Sequence, residues 1–164
     1  MGLVLDPMTA DEWARLRGPL EESYAEEVAR HRGYPPDAAR DLAATQIAGL
    51  LPDGVATAGV LLRVARVDDV QVGWIWVTLP GPGEASPGRA WIHNIEVDPA
   101  HRGRGHARRM IQLMEAELAA RGVPELGLNV FGSNTVAIGL YESLGFRVAA
   151  QQMVKPLPRP EPAP

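Results

Sequence analysis

Between Val97 and Ala107 the chain reads Val-Asp-Pro-Ala-His-Arg-Gly-Arg-Gly-His-Ala, a combination of types that could hold an anion. Gly103 and Gly105 have no Cβ, so successive backbone N–H groups can converge there into a nest. The positive end of a following helix adds to it, and Arg102 and Arg104 supply formal charge. Such a site suits a pyrophosphate. A basic surface turn that merely tightens a strand-to-helix connection has the same composition, and the residues alone leave both open. Two other phosphate motifs are excluded. A P-loop needs Gly-Lys-Ser/Thr, whereas the single lysine, Lys155, is far away. A dinucleotide fingerprint needs a third, correctly spaced glycine, and Ala107 comes too early. An RNA-binding Arg-Gly segment would be repeated and disordered, whereas this one is single and leads into an amphipathic helix.

The elements that must position this turn follow from the apolar spacing. Leu3 to Leu5 spells a short strand, and Thr9-Ala-Asp-Glu12 a capping box. Trp13, Leu16, Leu20, Tyr24 and Val28 recur at helical spacing, with Gly18-Pro19 expected to break or restart the helix. After the turn Gly33-Tyr-Pro-Pro36, a second helix is predicted from Asp37 to Leu50. The period then changes. Val60 to Val67 and Val70 to Leu79, separated by Asp68-Asp69, predict a hairpin, and Ala90 to Val97 a third strand after the Pro80–Arg89 loop. Met110, Ile111, Leu113, Met114 and Leu118 form a helical stripe ending at Gly122 and Pro124. Glu125 to Val130 reads as a strand, Asn134 to Leu144 as a helix and Phe146 to Val154 as a last strand. Residues 156–164, five of the nine being proline, read as an extended tail. The expectation is one domain over residues 1–155, a mixed α/β sheet with helices on both faces.

Composition narrows the partners. A chain of 164 residues with 46% apolar and 22% charged residues is an ordinary one-domain protein able to bury a core. The net charge of -4 gives no reason to expect nucleic acid or an anionic membrane. With no cysteine, disulfides and thiol nucleophiles are excluded and a zinc site is disfavoured; no metal is expected. The apolar runs are strand-sized and the N-terminus lacks the basic start of a secretory signal, so a cytoplasmic protein is expected.

Two segments together carry a resemblance. Arg102-x-x-Gly105-x-Ala107 resembles the pyrophosphate signature of the GNAT superfamily of N-acetyltransferases. Asn134-Thr-Val-Ala-Ile-Gly-Leu-Tyr-Glu-Ser-Leu-Gly-Phe146 resembles that family's Asn-x-x-Ala-x-x-Leu-Tyr-x-x-x-Gly-Phe element at every fixed position. One helix and one strand separate them, as in the family, and the likeness covers roughly Trp74 to Val154. Asn129 to Asn134 and Glu142 to Phe146 look closest to the branch acetylating protein N-termini and small amines. The resemblance implies a mostly antiparallel sheet with a splayed strand pair, acetyl-CoA as co-substrate and a primary amine, of a small molecule or a protein or peptide, as acceptor. A non-catalytic acyl-CoA-binding module of the same fold is the alternative. Homodimer formation is left open.

The resemblance also implies roles. Gly103, Gly105, His106 and Ala107, with Arg102 and Arg104, would hold the pyrophosphate. The Ile95 amide would face the acetyl oxygen, Val97 would bond to pantetheine, and Asn134 would touch the coenzyme from its helix. Tyr141 would protonate the departing thiolate, a phenol being close to a thiol in basicity; as a bare residue it also fits a core aromatic. Relatives carry Glu or His at the position of Asn129, which cannot accept a proton at neutral pH. His93 is the substitute base, predicted to share a strand face with Trp91 and Ile95. Glu96 should point to the other face unless a bulge re-aims it. An amine that arrives neutral would need no base. Tyr24, Glu27, His31, Trp91 and Asn129 are acceptor-side candidates, and Trp74 and Trp76 are either a pocket wall or core.

Overall fold

Asp68 and Asp69 take φ values of 50° and 65°, the left-handed turn whose twist suits a two-residue hairpin. In the computed structural model, which describes residues 2–81, 88–155 and 157, this turn joins β2 (Val60–Val67) to β3 (Val70–Thr78). The middle of the Pro80–Arg89 loop and, apart from Leu157, the Pro-rich tail lie outside the described residues. β1 (Val4–Pro7), β4 (Arg89–Val97) and β5 (Glu125–Leu128) complete a sheet of order β1-β2-β3-β4-β5. The pairings are antiparallel except β4 with β5, which is parallel.

The capping box forms as predicted: Thr9 Oγ1 accepts from Glu12 N–H, and the Glu12 carboxylate accepts from Thr9 N–H at 2.8 Å. It starts α1 (Ala10–Arg32), which runs through Pro19 without a break, contrary to expectation. Gly18 has no Cβ to meet the proline ring, and Arg15 and Pro19 lie on the exposed side, where water can take the carbonyl that Pro19 leaves unbonded. Gly33 ends α1 in the left-handed conformation, and Pro36 opens α2 (Pro36–Leu50) at its first position. One sheet face is covered by these helices: Trp13, Leu20, Ile47 and Leu51 pack with Leu62, Val64, Trp74 and Trp76. The other face carries α3 (His106–Ala120), with Met110, Ile111 and Met114 fully buried. Arg63 clamps that helix to β2 through Glu117, at 2.6 Å.

The chain divides into two compact units, Met1–Asn129 and Val130–Pro164. The second contains α4 (Thr135–Ser143). Its strand expected at Phe146 to Val154 does not form. No β-ladder among the described residues includes it, and Val148, Met153 and Val154 stand exposed, so the apolar pattern alone does not make a strand without a pairing edge. Among the described residues no helix is long and apolar enough to cross a membrane.

Candidate active site

β4 leads directly into the glycine turn. A short 3-10 turn, Pro99–His101, is followed by Gly103 and Gly105 at φ 74° and 78°, conformations that residues with a Cβ rarely adopt. Gly105 is the N-cap of α3 and supplies no side-chain cap. The Arg109 N–H bonds to the Gly105 carbonyl at 3.1 Å, so the helix's first-turn N–H groups ahead of it have no intrahelical acceptor. Nothing lies within 4 Å of where a Cβ on Gly103 or Gly105 would sit, and residues 102–105 are exposed. A helix N-terminus with first-turn N–H groups lacking intrahelical acceptors, next to Arg102 and Arg104, has the chemistry to hold a phosphate group. Arg102 also reaches back, its Nε–H donating to the Val97 carbonyl at 3.0 Å, which ties the turn to the end of β4. His101 and His106 flank the turn with ring centroids 6.5 Å apart.

The strand ahead of the turn changes phase. Trp76 is level with Asn94 but Val77 with Ile92, so His93 is an extra residue, a β-bulge. Two consequences follow for the predicted faces. The imidazole of His93 stacks on Trp76, centroids 4.6 Å apart and planes at 28°, which places it on the α1/α2 face together with Trp91, the partner of Thr78. Ile95 does not share that face. It is level with Ile75 and belongs to the α3 side, correcting the expectation. Glu96 is re-aimed onto the His93 side: level with Trp74, its Oε2 accepts from Trp74 Nε1–H at 3.2 Å. Both titratable residues of β4 beyond Arg89 therefore face the α1/α2 layer.

The parallel ladder with β5 ends at Ile92 and Leu128, leaving His93 to Val97 without a β5 partner. Beyond β5 this edge of β4 has backbone groups with which an extended ligand could pair. Two glycines, not singled out from sequence, set how closely β3 and β5 approach β4. A Cβ on Gly73 would sit 2.2 Å from the Glu96 carbonyl oxygen, so only glycine lets β3 approach β4 there. A Cβ on Gly127 would sit 2.7 Å from the Trp91 ring, which lies across β5 at that point.

The acceptor-side candidates are dispersed. The Tyr24 hydroxyl donates to Gln46 Oε1 at 2.6 Å and ties α1 to α2. Glu27 is half-buried on α1, His31 is exposed near its end, and Asn129 is exposed just after β5. Trp74 and Trp76 are core, 1% and 2% exposed. A groove of about 400 Å³ between α1 and α2, with Glu22, Glu26, Arg30 and Arg40 in its lining, includes no residue of β4 or the glycine turn. Among the described residues no cluster could hold a metal ion.

In the second unit, Asn134 Oδ1 caps α4 by accepting from Ala137 N–H at 3.2 Å. Tyr141 is half-buried and packs on Phe146, centroids 5.7 Å apart. Burial pushes its phenol above the ordinary value, so the hydroxyl keeps its proton at neutral pH.

A mostly antiparallel sheet with helices on both faces and a glycine turn between β4 and α3 define an α/β fold of one class. The family model of the acetyltransferase (GNAT) family matches residues 20–146, and the chain belongs to that family. It is similar to an uncharacterized N-acetyltransferase, YycN of Bacillus subtilis, at 28% identity over 96% of this chain and all of the relative. The crystal structure of YycN superposes with a TM-score of 0.88 at 27% identity, again over 96% of this chain and 100% of that one. The ribosomal protein bS18-alanine N-acetyltransferase of Escherichia coli K12 is 47% identical over 60 residues, which is 37% of this chain and 40% of the relative. A Thermoplasma acidophilum N-acetyltransferase crystallised with coenzyme A shares the fold, with a TM-score of 0.68 at 15% identity over 93% of this chain and 94% of that one.

Proposed function

We propose that this acyltransferase moves an acetyl group from acetyl-CoA to a primary amine by direct attack on the thioester. The observation that carries this is β4 itself, whose edge is free of β5 from His93 onward and leads straight into the glycine turn. The turn holds the pyrophosphate and the free edge takes the pantetheine arm, with Val97 bonding to it. The Ile95 amide faces the acetyl oxygen, where an N–H donor stabilises developing negative charge. The family resemblance gives Asn134 the role of a coenzyme contact and Tyr141, whose phenol burial keeps protonated, that of proton donor to the departing thiolate.

His93 takes the proton from the incoming ammonium, directly or through water, and Glu96 is the second proton acceptor on the same face. This removes the need for an acid–base group at Asn129. The acceptor amine belongs to a peptide N-terminus or a small molecule, and the similarity to alanine N-acetyltransferases favours the former. A screen of peptides and small amines that reads free thiol from acetyl-CoA tests the proposal. Thiol release that depends on an amine is expected. Tight coenzyme binding with no amine-dependent release would leave a binding module instead.

A further inference from the structure

Among the described residues, three buried polar atoms have no hydrogen-bond partner: Trp76 Nε1, Thr78 Oγ1 and Asn94 Nδ2. They are not scattered. Trp76 and Thr78 alternate along β3 toward the α1/α2 face, and Asn94 is level with Trp76. All three therefore gather at the bulge, on the face that carries His93 and Glu96. An unmade buried hydrogen bond costs stability, so a cluster of them at one point of a sheet asks for a reason.

We propose that Trp76, Thr78 and Asn94 are a donor set for a neutral carbonyl oxygen of the acceptor, a few bonds from its amine. The substrate class is then an α-amino amide, as at the amino end of a peptide, in preference to a free amino acid or a plain alkylamine. This rests on the acetyl-transfer proposal above. The indole nitrogen can only donate, and the hydroxyl and the amide nitrogen can donate with it, so the complement is an acceptor oxygen. A carboxylate would sit on the same face as the Glu96 carboxylate and be repelled by it, which leaves a carbonyl. Asn94 directly precedes Ile95, so an oxygen held here keeps the amine close to the acetyl group. The half-buried Trp91 ring, laid across Gly127, supplies a flat apolar surface beside Thr78.

The state of the donors without substrate sets the strength of this recognition. Their polar atoms are closed to solvent, yet Thr78 and Asn94 are only half-buried as residues, so rotation of these short side chains admits the oxygen. Donors already stripped of water give up no hydration on binding. Each bond to substrate is therefore worth more than an ordinary exchange with water.

The test uses alaninamide and its carbonyl-free analogue 3-methyl-2-butylamine, with coenzyme A present. The chain has four tryptophans, so indole N–H signals in a 15N spectrum are few enough to assign by substitution. Alaninamide should move the Trp76 signal downfield, and the analogue should leave it in place. With acetyl-CoA, Thr78→Val and Asn94→Leu should each lower the kcat/KM ratio of alaninamide to analogue about tenfold. Comparing that ratio between parent and variant cancels the different basicity of the two amines. Thr78→Val should also melt no lower than the parent, because it removes an unpaired donor. A stationary Trp76 signal and an unchanged ratio, with both amines turned over, overturn the donor set and leave acetyl transfer standing. A moving Trp76 signal with no thiol release from any amine supports the donor set and overturns acetyl transfer. A markedly lower melting temperature for Thr78→Val means the hydroxyl is bonded within the fold, and that also overturns the donor set.

Discussion

The glycine turn at residues 102–107 and the bulged half of β4 are close in sequence and are built in opposite ways. The turn uses backbone: Gly103 and Gly105 are there for what they lack, and the N–H groups they free stay open to solvent. The bulged strand uses side chains, whose usefulness depends on one inserted residue that turns His93 and Glu96 to the same face. A backbone site tolerates most changes to its side chains but not the loss of a glycine. A side-chain site in a packed sheet depends on register, and its members also serve the core, as the His93–Trp76 stack and the Trp74–Glu96 hydrogen bond do.

If the division is correct, variants of the turn change coenzyme binding and variants of the strand change turnover. Gly105→Val gives the largest effect. Valine at φ 78° is strained, and its side chain would stand in the turn proposed to hold the phosphates, so the stabilisation by acetyl-CoA should vanish. That stabilisation is about 2.7 kcal/mol at a hundredfold excess over Kd in the parent. Thermal unfolding with and without acetyl-CoA reads it, and a variant stabilised as much as the parent would break the comparison.

Tyr141→Phe should lower kcat by roughly 10² to 10⁴, the span of general acid–base catalysis, with coenzyme affinity unchanged. The pH dependence sharpens the test. Burial raises the folded phenol's pKa, so the stability linked to its neutral form is complete below the ordinary value and is lost as pH climbs through the raised one. The alkaline limb of kcat should accordingly fall above about 10, the unperturbed phenol value, and disappear in Tyr141→Phe. A limb that persists in the variant belongs to another group. Arg102→Ala should have the smallest effect, about a tenfold loss of affinity for coenzyme A, as expected for one exposed charge-assisted contact. Equal weakening of a dephosphorylated pantetheine fragment would show that the arginine does not read the phosphates.

Much of this was legible in the sequence where local chemistry leaves few choices. Left-handed turns ask for glycine, a capping box needs Thr9 and Glu12 three apart, and Asp68-Asp69 between two β-branched runs makes a hairpin. Pro19 misled because its cost depends on Gly18 and on the exposure of that side of α1, which are matters of packing. The segment from Phe146 to Val154 misled because alternation shows what a strand could bury, and not whether an edge pairs with it. The bulge did leave a trace. Ala90 and Ile92 keep one period-two phase, and Ile95 and Val97 keep the other, offset by one residue. The idle donors Trp76, Thr78 and Asn94 left none, since their meeting depends on cross-strand register.

If the bulged stretch of β4 carries the proton acceptors for an amine bound beside it, removing both should abolish the acid–base step. The double variant His93→Gln/Glu96→Gln, assayed for kcat/KM across pH with the best amine from the thiol screen, decides this. Acetyl-CoA should still stabilise the protein, while kcat/KM falls by roughly 10² to 10⁴ and its acidic limb reduces to the amine's own ionisation, the alkaline limb of Tyr141 remaining. A double variant that turns over at the parent's rate, with the parent's acidic limb intact, would mean that neither His93 nor Glu96 takes the proton.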